Sequence, residues 1–195
     1  LGLSDGQVLR AEIRFAVSYA DSGRTITPEV VTVGDPIRVA SEGQTIRSVA
    51  FADAPNGPIT VAAVGPKELV IVAVRERRAL IGESKREESR QEISLAIDGE
   101  ITAILLDGRG DDLFVGTSRG QVVRVDLREP TQSRVGRPLT ASSRPLAAVT
   151  AMSFLIGDRT IVVGDSAGGV SSWQLLLDDG GERVLTKVYE FPQCD

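Results

Sequence analysis

The strongest constraint on this chain is that it repeats itself. Residues 101–127 (ITAILLDGRGDDLFVGTSRGQVVRVDL) lie over residues 149–175 (VTAMSFLIGDRTIVVGDSAGGVSSWQL) without a gap at an offset of 48, and eight of the 27 pairs are identical. The opening run LGLSDGQVLRAEI matches the second half of the same unit, 115–127, again ungapped. A weaker copy runs from Ile46 to Phe51, Ile59 to Val64, Gly65 to Glu68 and Leu69 to Val74. A fixed offset between similar segments signals one supersecondary unit packed against copies of itself, because a single unit cannot bury its own apolar faces.

Within each copy the apolar runs are five or six residues long, rich in Val and Ile, and separated by Gly, Asp, Ser and Pro. That is strand and turn chemistry. The turn GTSRG (116–120), echoed by GDSAG (164–168) and GLSDG (2–6), places Gly at both ends of a short hairpin. Positive φ or close strand approach is needed there. The best-defined unit then reads as strand a (101–106), strand b (112–116), strand c (121–127) and a more polar outer strand d (about 134–139).

Four short strands at a period of 48, near the roughly 40–45 residues of WD40-type blades, predict an all-β fold: a WD40-like β-propeller or partial propeller. The expected organisation is one domain over 1–195, with a partial blade in 1–40 and complete blades in 41–97, 98–146 and 147–195. The first of these holds strands c and d and the tail of strand b at residues 1–3. Propellers close with 4–8 blades, so about three blades and part of another read as a portion of a ring. The chain also opens at Leu1 without Met and without a charged stretch leading into an apolar one, which reads as a piece of a longer protein.

Composition removes several functions. With no histidine, no Ser-His-Asp or Cys-His site exists, and the lone Cys194 makes no internal disulfide. Twenty-seven acidic against 22 basic residues give a net charge of −5 without a basic stripe, which argues against nucleic acid. The longest uncharged stretches, 54–66 and 145–157, run 13 residues and contain Pro and Gly. They are too short to cross a bilayer, so no direct membrane insertion by this segment is expected. The segment 75–92 holds 11 charges in 18 residues, six basic and five acidic, and reads as a solvated hairpin between strands c and d.

The chemistry-bearing clusters have structural readings. Asp107, Asp111 and Asp112 form an acidic a–b turn without the alternating oxygen ligands of a calcium loop. Asp178 and Asp179 precede Gly180 and Gly181 in a c–d hairpin, and nothing aims them into one cleft. The run GDSAGG (164–169) lacks a phosphate-loop lysine and a following helix. Trp173 occupies a strand-c position held by Val125 and Ala11 in other copies, so it is expected to pack between blades. No catalytic, cofactor or metal residues are assigned, and the chain is read as a non-enzyme. A docking partner would use the turns at a propeller rim. The candidates are Ser118, Arg119, Asp165 and Ser166, whose favoured reading is as caps that close their hairpins.

The chain resembles the large periplasmic domain inserted after the first transmembrane helix in one branch of bacterial phosphate ABC transporter permeases. The likeness rests on LGLSDGQV (1–8), ITPEV (26–30), ITA with LDG (101–103, 106–108), LFVGT (113–117) and above all FLIGDRTIVVGDSAGGVSSW (154–173). It implies a non-catalytic extracytoplasmic module, for protein interaction or stabilisation, on the periplasmic side of the inner membrane. Its implied partners are the remainder of the permease and a periplasmic solute-binding protein. No phosphate-ligating motif carries over from the family, and Gly65-Pro66-Lys67-Glu68 departs from the usual hairpin. The alternative from the repeats alone is a stand-alone WD40-like scaffold of a soluble multiprotein complex.

Overall fold

The computed structural model describes residues 1–21, 23–41, 43–77, 85–129 and 131–192, with the backbone alone at 76, 77, 85 and 86. The described residues contain no helix. In chain order the strands are β1 (Gln7–Val8), β2 (Ala11–Ala20), β3 (Gly23–Thr32) and β4 (Ile37–Arg38), then β5 (Ser48–Ala54), β6 (Gly57–Ala63), β7 (Glu68–Arg77) and β8 (Lys85–Ser94). The next group is β9 (Ile101–Leu106), β10 (Asp112–Thr117), β11 (Gln121–Asp126), β12 (Arg134–Val135) and β13 (Leu139–Thr140). The last is β14 (Val149–Phe154), β15 (Thr160–Asp165), β16 (Val170–Leu177) and β17 (Arg183–Phe191).

Three antiparallel meanders result, β5-β6-β7-β8, β9-β10-β11 with β12 and β13 on its outer edge, and β14-β15-β16-β17. Their faces stack. Leu69, Ile71 and Ala73 of β7 point to one side and join Leu113, Val115, Val123 and Val125 in one core, whereas Val70 and Val72 point to the other and join Val8 and Val39. Phe114 and Val122 leave the first of these cores to pack with Ile161, Trp173 and Leu185. The middle strands are therefore buried on both faces, which is why they read as unbroken apolar runs rather than alternating ones. The first strands β5, β9 and β14 lie next to one another across the sheet boundaries, so the sheets fan out from their first strands. This is the blade arrangement of a WD40-like partial propeller.

Glycine sets how closely the blades approach. A Cβ on Gly116 would stand 2.5 Å from Cγ1 of Val149, at the start of the next blade. The equivalent Gly2 would meet Cγ2 of Ile46 at 3.0 Å, and Ile46 is the repeat counterpart of Val149. A bare backbone in strand b thus receives the first β-branched side chain of the following blade.

Two elements differ from the sequence expectation in detail. Strand d of the third unit is divided into β12 and β13, which pair with opposite ends of β11. Pro138 sits between them and has no N–H to give a ladder, while Gly136 N donates to Arg124 O at 2.8 Å. In the opening unit the c and d strands each divide as well. The short pair β1–β4 packs on the neighbouring blade, and β2–β3 departs from it as a separate two-stranded ribbon with a continuous ten-pair register. Residues 1–3 pair with 7–9 as the expected tail of strand b, Leu9 N donating to Leu1 O at 2.8 Å. The turn of the charged 75–92 hairpin, 78–84, and Cys194 lie outside the described residues.

Candidate functional site

The b–c turns are tied to the connection that leads into the inner strand of the same blade, and the tie is the same in two blades. Ser118 N donates to Glu100 O at 2.8 Å and Ser118 Oγ accepts from Glu100 N at 3.0 Å. Forty-eight residues on, Ser166 N donates to Ala148 O at 2.8 Å and Ser166 Oγ accepts from Ala148 N at 3.0 Å. Each serine thus supplies one donor and one acceptor to a connection whose backbone has no ladder partner.

The residue before each serine closes the turn from inside. Thr117 Oγ1 accepts from Arg119 N at 3.3 Å and Gln121 N at 3.1 Å. Asp165 Oδ1 does the same for Ala167 N at 2.9 Å and Gly169 N at 2.8 Å, and its Oδ2 accepts from Ser143 N at 2.6 Å. Burial pushes the Asp165 carboxyl up, but the bonds from Ser143, Gly169 and Ala167 outweigh it and hold the group below the ordinary value. Gly120 completes its turn at φ +74°, where a Cβ would stand 2.5 Å from Ala147 O, so neither the conformation nor the space admits a side chain.

The four rim candidates therefore divide. Ser118, Asp165 and Ser166 are bound into hairpin closure. Arg119 is exposed, and its guanidinium makes no ion pair among the described residues. It shares this end of the blades with an Arg47–Glu100 pair at 2.6 Å and with Lys67, whose Nζ donates to Ile97 O at 2.8 Å. The rim is thus stiff in backbone and mixed in charge.

The opposite end carries a charge network of which the sequence singled out Asp112 alone, within the acidic a–b turn. Asp112, buried at the start of β10, receives Arg124 at 2.6 Å on one oxygen and Arg183 of the next blade at 2.6 Å on the other. Arg124 also reaches Asp126 at 3.2 Å, and Arg128 reaches Asp126 at 2.6 Å. Asp112 and Asp126 stand directly opposite in the ladder, so without the arginines two buried carboxylates would repel. The available signal was Arg124 and Asp126 at alternate positions of strand c, charges where a blade core expects apolar residues, with Arg128 just past its end. Asp107 caps the adjacent turn, its Oδ1 accepting from Asp111 N at 2.7 Å and Asp112 N at 3.1 Å. Burial raises its pKa above the ordinary 3.8, an effect those two N–H bonds only partly offset.

A cleft of about 350 Å³ opens beside this network between the last two blades, floored by Phe114, Phe154, Ile161 and Leu175 and edged by Asp107, Asp158 and Arg159. Phe114 and Phe154 meet edge to face at 6.0 Å across it. A second cleft of about 500 Å³ lies where the opening unit meets β5 and β6, and there the Arg10 guanidinium lies 4.3 Å over the Phe51 ring. Trp173 is buried between blades as expected, donating from Nε1 to Ser171 Oγ at 2.9 Å, with Lys187 Nζ 5.5 Å from its ring centre. Asp178 is a turn cap, accepting from Gly180 N and Glu182 N at 2.9 Å each. Among the described residues no group of three or more Cys, Asp or Glu side chains is placed to hold a metal ion, and no helix is long and apolar enough to cross a membrane.

Face-stacked meanders fanning from their first strands, with turns locked to the inner connections, define the class as a WD40-like partial propeller. No family model and no curated protein sequence matches the chain. Among solved structures it is similar to the β-propeller domain of Cps50 (Swd1) from Myceliophteria thermophila, at 12% identity over 98% of this chain and 73% of that one, with a TM-score of 0.41.

Proposed function

We propose that this chain is a non-catalytic protein-interaction module, the extracytoplasmic domain of a phosphate-type ABC transporter permease. The observation that carries the interaction role is the rim. Three of its four candidate side chains are committed to holding turns, and Arg119 stands exposed on the scaffold they stiffen. A rigid frame that presents a few side chains binds partners with little ordering cost. The transporter context is supported by the sequence resemblance, chiefly residues 154–173. In that context the solute-binding protein and the rest of the permease are the partners.

Fractionation of the native parent protein tests this reading, using an antibody to this segment on carbonate-washed membranes with protease added from the periplasmic side. Retention in the washed membranes with cleavage from outside is expected. A soluble, cytosolic signal would defeat the permease assignment and leave the scaffold of a soluble complex.

A further inference from the structure

The ribbon β2–β3 has an apolar face that nothing among the described residues covers. Its cross-strand pairs place Ile13 opposite Val30, Phe15 opposite Pro28, Val17 opposite Ile26 and Tyr19 opposite Arg24. Directly opposed residues share a face, as do alternate residues on one strand. Ile13, Phe15, Val17, Tyr19, Ile26 and Val30 therefore form one continuous surface, each between 43% and 78% exposed. The reverse face carries Glu12, Arg14, Ser18, Thr25, Thr27 and Glu29, with Arg14 held to Glu12 at 3.0 Å. The two faces thus differ as the inner and outer faces of a buried strand do.

Two considerations identify what covers this face. An isolated two-stranded ribbon is marginal in water and gains stability when a second layer packs on it. At on the order of 100–250 Å² per large side chain, the six exposures amount to roughly 400–900 Å². That is at or above the ~300–600 Å² of an ordinary monomer's largest apolar patch, and its upper end reaches the ~800 Å² each partner contributes to a standard interface. The only charged side chain on the face is Arg24, at the tip, which is the charge-poor centre expected of a protein interface. A lipid surface fits less well. The ribbon carries three acids, Glu12, Asp21 and Glu29, against two arginines, and the chain as a whole is −5, whereas elements that lie on anionic bilayers are rich in cations.

We propose that the apolar face of β2–β3 is a self-association surface, on which two copies of this chain pack ribbon against ribbon about a two-fold axis. The contact is isologous, so each copy supplies both the surface and its complement, and the assembly closes at two. Phe15, Val17 and Ile26 lie at the middle of the face, nearest the axis.

Sedimentation equilibrium of the 195-residue chain tests this, with Phe15→Glu on the apolar face and Thr27→Glu on the reverse face as its control. The wild-type chain is expected at twice its 20.7 kDa mass at micromolar concentration. Phe15→Glu is expected to raise the dimer dissociation constant at least about 30-fold, with a thermal midpoint equal to that of the wild-type chain when both are diluted until monomeric. Thr27→Glu is expected to remain dimeric. A wild-type chain still monomeric at about 100 μM, a dimer that survives Phe15→Glu, or species larger than two formed by open strand edges would each overturn the proposal. So would a monomer that binds phosphatidylcholine–phosphatidylglycerol vesicles through Phe15.

Discussion

At the scale of single residues, electrostatics and backbone satisfaction divide the polar side chains into distinct tasks. Asp126 is the clearest case. Its hydrogen bond from the Arg128 guanidinium, joined by the charge of Arg124, outweighs burial and holds its carboxyl at about 2 instead of 3.8. A depressed carboxylate pKa contributes stability that is fully present above the unfolded value, near 3.8, and is lost as pH falls toward 2. The shift corresponds to about 2 kcal/mol. The stability gap between the wild-type chain and Asp126→Asn in urea denaturation should therefore close by about that amount between pH 5 and pH 2. A gap independent of pH would show that the Asp126–Arg128 contact is not made in solution. Asp165 and Thr117, at equivalent repeat positions, both act by accepting from turn N–H groups. An oxygen of the right reach closes the turn, and carboxylate or hydroxyl serves.

At the scale of elements, blade spacing is set where strand b of one sheet meets strand a of the next. Gly116 and Gly164 occupy the same repeat position, yet a Cβ on Gly116 would strike Val149 whereas one on Gly164 would find its nearest atom at 4.0 Å. Gly116→Ala should thus cost about 1–3 kcal/mol, as overpacking does, and Gly164→Ala should stay within about 0.5 kcal/mol of wild type. Thermal or urea denaturation of the two variants measures the difference; equal costs would mean that the blades sit farther apart than described. Strand d shows the opposite dependence on local chemistry. The polar run ending at Pro138 was readable as an outer strand, and its division follows from the missing N–H of proline at an edge that few contacts support.

For the whole molecule, stability is concentrated in the middle. The strands β10 and β11 have cores on both sides, whereas every residue of β2 and β3 is at least partly open to solvent. Native-state amide exchange on the Phe15→Glu chain should find β10 and β11 opening only with global unfolding, and the ribbon amides exchanging at least about 100-fold faster. Uniform protection would show that the ribbon folds back onto the blades. The rim and the Asp112–Arg183 bridge sit at opposite ends of the same sheets, so a substitution at the rim turns leaves this bridge between blades untouched.

What could be read from residue order was whatever repeats or alternates locally. The 48-residue offset, the Val- and Ile-rich runs and the Gly-bounded turns sufficed for an all-β blade architecture, because hairpin registers depend on neighbours in sequence. The interior placement of Trp173 followed from its repeat position. Burial did not follow, since it depends on whether another layer arrives. Ile13, Phe15, Val17 and Tyr19 alternate as a buried strand would, yet they face solvent because β2 and β3 depart from the blade that β1 and β4 join. The Arg124 network was equally hidden: Arg183 lies 71 residues from Asp112 in the chain, and only the stacking of two blades brings the guanidinium to the carboxylate. Local chemistry sets strands and turns; contact between distant segments sets which faces are covered and which charges are paired.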